Sequence, residues 1–166
     1  MALTVEDGTG ITAADSYVSE AEYTTFLAAT GKTLVVTTYT AEQQLRLGGR
    51  FIDTDYFFEG EKTAYTNGME FPRTGLENAS SQALPSTSVP QRVKDAQMEA
   101  SYRFGANTDL APDRASPGAI KKKKSGVGSL QTEIEYFGGN NQQPSIPVVD
   151  NLLKDFTLPP GEMVRA

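Results

Sequence analysis

Pairs of acidic residues separated by one position are the first feature of this sequence that could carry out chemistry. The pairs are Glu20/Glu22, Asp53/Asp55 and Glu59/Glu61. Catalysis by two carboxyl groups requires both of them to converge on one bond. Residues two apart in a helix do not share a face. We therefore interpret these acidic residues as solvated surface and not as catalytic pairs.

The side chains most often used in catalysis are missing from the sequence. It contains no His and no Cys, which excludes thiolate nucleophiles, imidazole bases and the usual zinc ligands. The segments Gly8-Thr9-Gly10 and Gly126-Val127-Gly128 are too short for a phosphate-binding loop, and they lack the Lys-Ser/Thr or the helix that should follow. A small hydrolase would need a nucleophile and a base that act as a set, and the sequence shows no such set. We expect a protein that is not an enzyme and that uses no metal or other cofactor.

Four consecutive lysines form the one basic run of the chain: Lys121, Lys122, Lys123 and Lys124. They could contact nucleic-acid phosphates, or they could be a solvated strand whose lysines prevent edge-to-edge aggregation. The net charge is -6 and the isoelectric point is about 4.7. Because affinity for DNA comes mainly from neutralising phosphates, this acidity favours transient contact over tight binding.

An aromatic group is predicted around Asp53–Phe58, with Tyr65 and Phe71 nearby. Stacking on single-stranded bases would need aromatic side chains interleaved with Lys or Arg. Here the neighbours are mainly acidic, with only Arg50, Lys62 and Arg73 as basic exceptions. Packing in the core or at a subunit interface is therefore the favoured interpretation.

Three longer helices are expected to support these residues. Ser19 with Glu22, and Thr40 with Gln43, fit capping boxes, which predict one helix over 20–30 and a second that begins after Thr40. Two adjacent glycines inside the second helix, at positions 48 and 49, indicate either close packing of another backbone, which is the favoured interpretation, or a bend. The third helix opens at Val89-Pro90 and carries an apolar stripe at helical spacing: Val93, Ala96, Ala100 and Phe104.

The second half of the chain predicts a β-hairpin and a short helix. Residues 120–125 and 129–137 are separated by a Gly-rich turn, and the lysines of one strand would face Glu133 and Glu135 of the other. Pro147–Phe156 is amphipathic. The expected fold class is mainly α: a small helical bundle of three longer helices with a β-hairpin, a short C-terminal helix and extended termini.

The length of 166 residues suits a single domain. We divide it into an N-terminal arm at 1–15, a helical core with long loops at 16–118, the hairpin at 119–137 and a C-terminal docking segment at 138–166. The first ten residues lack the pattern of a signal peptide. No apolar run approaches the roughly 20 residues of a membrane span. Synthesis in a host cytoplasm, without a membrane partner, is the expectation.

Several stretches resemble one phage protein family when they are taken in order. They are the opening Met1–Gly10 running into Ala14–Ser19, the segment Arg50–Asp53, the turn Phe71–Gly75, Val89-Pro90 entering a helix, the strand Ile120–Lys124, and Pro147–Leu153. The family is often labelled DnaT-like single-stranded-DNA-binding proteins. Its layout is similar to that of the head–tail adaptor proteins of tailed bacteriophages. The resemblance covers most of the chain, although Phe71 stands where the family has a tryptophan.

The resemblance implies a structural subunit in the neck of a virion. Such subunits form a homo-oligomeric ring of about twelve copies between the portal protein and the tail, stopper or tail-terminator protein. Viral DNA would pass through the lumen without being tightly bound, and an acidic lumen would let it slide. The alternative is a single-stranded-DNA-binding accessory protein of replication.

Two segments are candidates for the contacts of such a subunit. One is a portal-docking surface in the C-terminal segment, made of Pro147, Val148, Val149, Leu152, Leu153 and Phe156. The other is the lysine run at 121–124, which would lie at a subunit or tail-side contact or along the DNA channel. Ordering a terminal segment on a partner is coupled folding and binding.

Overall fold

A computed structural model describes residues 2–78, 80–106, 108, 110, 120–125, 132–136 and 146–158 of the chain. It divides into two compact units, Met1–Leu110 with Ile146–Ala166, and Ala111–Ser145. The helical unit contains four helices: α1 (Glu20–Ala29), α2 (Ala41–Asp55), α3 (Gln91–Gly105) and α4 (Pro147–Leu153). It also contains the short antiparallel pair β1 (Glu61–Lys62) and β2 (Arg73–Thr74). The second unit contains the hairpin strands β3 (Ile120–Ser125) and β4 (Thr132–Tyr136). The predicted fold class is confirmed.

Side-chain caps begin the first two helices, as predicted. Ser19 accepts a hydrogen bond from the Glu22 backbone N–H, and the Glu22 carboxylate accepts one from the Ser19 N–H in return. Thr40 and Gln43 form the same reciprocal pair at α2. Each cap satisfies backbone donors that have no partner inside the helix. The helix starts are therefore determined by local sequence.

The closest packing in the helical unit is between α2 and α3. A Cβ atom placed on Gly48 would lie 2.2 Å from the Ser101 hydroxyl and 2.9 Å from the Gln97 carbonyl oxygen. Only a residue without a side chain lets the α3 backbone approach this closely. Phe51 of α2 and Phe104 of α3 pack edge to face with ring centroids 6.2 Å apart. The expected role of the glycine pair in close backbone packing is confirmed.

The N-terminal segment packs on its own chain, which corrects the expectation of an extended arm for the described residues 2–15. Val5 forms a parallel β-bridge with Ser16, and the Glu6 N–H donates to the Ser16 carbonyl at 2.8 Å. The Glu6 carboxylate is fully buried and accepts from the backbone N–H groups of Gly8, Gly10 and Ile11. Because its neighbours are backbone donors, this acid organises a loop and is not available to partners.

The hairpin pairs its strands in an antiparallel register, as predicted. Lys122 lies opposite Glu135, Lys123 opposite Ile134 and Lys124 opposite Glu133, with an irregularity between positions 120 and 122. Opposite charges at directly opposed positions are favourable. The predicted Gly-rich turn at 126–128 and the chain end at 159–166 lie outside the described residues.

Candidate functional site

Three stretches of the sequence that carry the family resemblance meet in one buried hydrogen-bonded network. The Phe71 backbone N–H donates to the Tyr17 hydroxyl oxygen at 3.2 Å, and the Tyr17 O–H donates to Asp53 Oδ1 at 2.5 Å. The other carboxyl oxygen of Asp53 accepts from the Glu70 N–H at 3.1 Å. The network therefore connects the N-terminal segment, α2 and the turn before β2.

Asp53 is a correction to the sequence interpretation, which placed it on the solvated surface. Desolvation by burial raises its pKa to about 6, although the hydrogen bonds from Tyr17 and Glu70 act in the opposite direction. Burial and the neighbouring Asp53 charge also raise the pKa of Tyr17 well above its ordinary value. Two such groups could exchange a proton, but the Tyr17 ring is fully buried. These hydrogen bonds hold the turn before β2 against α2 and the N-terminal segment.

The raised pKa of Asp53 predicts a pH effect on stability. The pKa of Asp53 in the folded protein lies about two units above its value in the unfolded chain. Its contribution to the free energy of unfolding is therefore greatest below about pH 4 and is lost as the pH rises through 6. Replacing Asp53 by Asn should remove this dependence. We expect the stability difference between wild type and Asp53→Asn to change by about 2 kcal/mol between pH 4 and pH 7. Urea unfolding across this range measures it, and a difference that does not vary with pH would refute the assignment.

The aromatic group divides into a buried part and an exposed part. Phe71 packs edge to face against Phe58 and Tyr17, with ring centroids 4.9 and 5.9 Å apart. These rings confirm the expectation of core packing. In contrast, Phe57 is 75% exposed and Tyr65 is 100% exposed. The exposed rings are available for contact with another molecule.

Most of the basic side chains in the helical unit are neutralised by carboxylates. Of its nine described Lys and Arg residues, six form ion pairs: Lys32–Glu99, Arg46–Asp15, Lys62–Glu70, Arg73–Glu70, Arg92–Asp155 and Lys94–Glu22. The other three are Arg50, Lys154 and Arg103, and a buried nitrogen of Arg103 has no hydrogen-bond partner among the described residues. This unit has no basic groove in its described part that could follow a phosphate backbone.

Positive charge is concentrated in the other unit. From Ala111 to Ser145 the sequence has five basic and three acidic residues, a net charge of +2. The rest of the chain has ten basic and eighteen acidic residues, a net charge of -8. The predicted contact residues Lys121, Lys122, Lys123 and Lys124 all lie on β3. Any phosphate contact of this protein is therefore expected at the hairpin.

The predicted portal-docking residues do not share one surface. Val149, Leu153 and Phe156 are buried in the helical unit, with exposed fractions of 0%, 0% and 4%. Pro147 and Val148 are exposed, and Leu152 is half-buried. The hydroxyl of Tyr56, which follows α2, donates to Asp150 of α4 at 2.6 Å. The segment is thus part of the core, and only its outer side could meet a partner.

A groove of about 500 Å³ with a mixed polar and apolar lining lies between α1 and α3. Its lining includes Val18, Phe26 and Met98, with the Glu22–Lys94 ion pair beside them.

Among the described residues there is no cluster of three or more acidic side chains placed to hold a metal ion. No described helix has the length and apolar character to cross a membrane.

Comparison with known families identifies the relationship. The model of the family described as "Putative DnaT-like ssDNA binding protein" matches residues 1–166. The chain belongs to this DnaT-like family. Neither a curated protein nor a solved structure matches the chain. In this member of the DnaT-like family, the motifs quoted from the sequence correspond to the buried network and to α3, β3 and α4.

Sequence reasoning missed two features of this DnaT-like protein. It did not single out Gln97, whose buried side chain joins the N-terminal segment to α2 and α3. It also did not separate Phe57, which is exposed, from its neighbour Phe58, which is buried, whereas the exposure of Glu59 and Glu61 agrees with their interpretation as solvated surface.

Proposed function

We propose that the protein is a non-enzymatic structural subunit, the head–tail adaptor of a tailed bacteriophage. It would form a homo-oligomeric ring in the neck of the virion, between the portal protein and the tail, stopper or tail-terminator protein. The observation that carries the proposal is the neutralisation of basic side chains in the helical unit. A surface whose cations are already paired favours protein contacts over binding of a phosphate backbone.

Exposed apolar side chains on ordered segments support the same proposal. Phe57, Tyr65 and Val148 are 75%, 100% and 45% exposed. Aromatic side chains are enriched at protein interfaces. The net charge of -8 outside the hairpin unit would repel DNA that passes through a ring of such subunits. The placement in a phage neck rests on the family resemblance described for the sequence.

Single-stranded-DNA binding is the second candidate function, and the description of the matched family favours it. The lysine strand β3 is the feature that would carry it. Such binding should weaken steeply with salt, with a slope set by the number of phosphates that are neutralised. Within β3, four lysines could contribute, and Lys122 and Lys124 lie opposite glutamates.

One experiment compares the two candidates directly. The purified protein is sedimented with purified portal protein, in the presence of a labelled single-stranded oligonucleotide at physiological salt. We expect the protein to sediment with the portal while the oligonucleotide stays in solution. Micromolar or tighter oligonucleotide binding without portal association would reject the adaptor and establish the second candidate.

A variant with Lys121–Lys124 replaced by Ser refines the comparison. We expect this variant to impair assembly of the ring or its attachment to the tail more than it changes the affinity for the oligonucleotide. The matched control replaces Arg50 and Lys154, two exposed cations of the helical unit, by Ser. A loss of oligonucleotide binding with normal assembly would instead assign β3 to DNA.

A further inference from the structure

The helix α1 is fixed to the rest of the helical unit by fewer buried side chains than α3. Of its ten residues only Tyr23 and Leu27 are buried, whereas eight of the fifteen residues of α3 are buried. The Tyr23 hydroxyl donates to Gln44 Oε1 of α2 at 3.0 Å. Because burial of apolar surface is the dominant favourable term in folding, α1 is held less strongly by the core than α3 is.

A groove between α1 and α3 weakens the packing of α1 further. The groove of about 500 Å³ is lined on one side by Ala21, Thr25 and Ala29 of α1, and on the other by Asp95 and Met98 of α3. The small side chains of α1 leave this groove open, so the two helices lack the packing contacts that interdigitated side chains provide. In contrast, α2 and α3 lie so close that a Cβ atom on Gly48 would lie 2.2 Å from the Ser101 hydroxyl.

Ion pairs connect α3 to both ends of α1. Lys94 Nζ of α3 lies 3.1 Å from Glu22 Oε1, in the first turn of α1. Lys32, which follows the C-terminal end of α1, pairs with Glu99 of α3. The side chains of Glu22 and Lys32 are 47% and 23% exposed. Because solvent reaches both pairs, dissolved salt can screen them.

Lys32 also contacts two aromatic rings. Its ammonium nitrogen lies 5.3 Å from the ring centroid of Phe26 in α1 and 5.1 Å from that of Tyr102 in α3. A cation at this distance from an aromatic face is attracted by the electrons of the ring. One charged group therefore connects the C-terminal part of α1 to α3.

Few interactions restrain the chain that follows α1. Gly31 has a φ of +69°, and a Cβ atom placed on it would meet nothing within 4 Å. Over positions 33–38, no backbone N–H donates to another backbone group among the described residues. Gln44 Nε2 holds this linker at the carbonyl oxygens of Val35 and Tyr39. Segments with so few backbone hydrogen bonds and buried contacts open at low free energy.

We propose that α1 is a latch on the helical unit, which opens from α3 while α2 and α3 stay packed together. The latch comprises residues 19–38. Before it, the Tyr17 N–H is bonded to Gln97 Oε1 at 2.9 Å, and after it the Tyr39 carbonyl is bonded to Gln44. These two bonds attach the ends of the latch to α3 and α2. The movement is independent of the proposed adaptor function and goes beyond it.

Ionic strength controls the balance between the closed and the open latch. Closing forms two ion pairs and the contacts of one ammonium group with two rings, whereas it buries few apolar side chains. Between about 0.1 M and about 1 M salt, the screening length falls from about 10 Å to about 3 Å. The latch therefore opens more often at high salt, and Met98, which is 4% exposed in the closed state, becomes accessible.

Hydrogen exchange of the full chain, read by mass spectrometry, tests the latch. In wild type we expect the amides from Tyr23 to Ala29 to exchange at least about tenfold faster than those of α3, after correction for intrinsic rates, because local opening requires less free energy than global unfolding. Raising the salt concentration should accelerate exchange in α1 and leave α3 unchanged. Equal protection of the two helices, or an α1 rate that does not respond to salt, would overturn the proposal.

The variant Lys32→Met removes the ammonium group and keeps a long side chain. We expect exchange in α1 to become about fivefold faster, at the upper end for a partly exposed ion pair, with no change in α3. The matched control Arg92→Met removes the ion pair of α3 with Asp155 and should leave α1 unchanged. If Lys32→Met accelerates α1 and α3 equally, α1 opens only with the whole unit and is not a latch. The same conclusion follows if Lys32→Met has no effect, or if Arg92→Met accelerates α1 as much.

Discussion

Replacing Gln97 by Ala is expected to lower the free energy of unfolding by about 3 kcal/mol or more, since buried polar partners are orphaned and a cavity is left. Gln97 is fully buried in α3. Its Oε1 accepts the Tyr17 N–H at 2.9 Å, and its Nε2 donates to the Ser16 hydroxyl and the Leu45 carbonyl, both at 2.8 Å. One side chain thus satisfies three groups from two other parts of the chain. Urea unfolding followed by circular dichroism measures the loss.

The matched control for this substitution is Gln91→Ala, at the first residue of the same helix. Gln91 is exposed, and its side chain bonds only to Asp95 at 2.9 Å. We expect a change within about 0.5 kcal/mol, as is usual for surface positions. A loss of less than about 1 kcal/mol for Gln97→Ala would show that the three hydrogen bonds contribute little beyond what water provides in the unfolded chain.

Replacing Leu153 by Ala should lower the free energy of unfolding by about 3 kcal/mol, within the range for a buried leucine. Leu153 is fully buried at the end of α4, in the core that also includes Val149 and Phe156. Deleting residues 147–166 would remove all three. Because a whole domain is stable by only about 5–15 kcal/mol, the deletion should abolish cooperative unfolding. A folded monomer is therefore not expected after this deletion.

Val148→Ala is the control on the same helix, because Val148 is 45% exposed. It should change stability by no more than about 0.5 kcal/mol. Val148→Asp is then the suitable test of portal docking, since it alters the outer side of α4 without emptying the core. Loss of portal association in Val148→Asp with an unchanged unfolding midpoint would separate docking from folding. Equal stability losses in Leu153→Ala and Val148→Ala would contradict the placement of α4.

The helices could be predicted from the sequence because their signals are local. A hydroxyl and a carboxylate or amide three residues apart determine where α1 and α2 begin. The glycine pair in α2 predicted a close backbone contact, and the contact is with α3. The hairpin also followed from the sequence, which predicted that lysines of the first strand face Glu133 and Glu135, and the register places Lys124 and Lys122 opposite them.

The buried network could not be predicted because its partners are far apart in the chain. Tyr17 and Asp53 are separated by 36 positions, and Tyr17 and Gln97 by 80. An acidic residue near other acidic residues looks the same in sequence whether it is solvated or, like Asp53, desolvated by burial against residues far away in the chain. For α4, the amphipathic pattern indicated an apolar side correctly. It could not distinguish an apolar side that packs on the chain's own core from one that binds a partner protein.

The division into two units has a consequence for how this protein can vary. The hairpin unit is an insertion, since the chain leaves the helical unit after Leu110 and returns to it at Ile146, and both of these residues are buried. The bonds that stabilise the helical unit are made by residues on either side of the insertion. We therefore expect substitutions in the hairpin unit to leave the packing of the described helical unit unchanged.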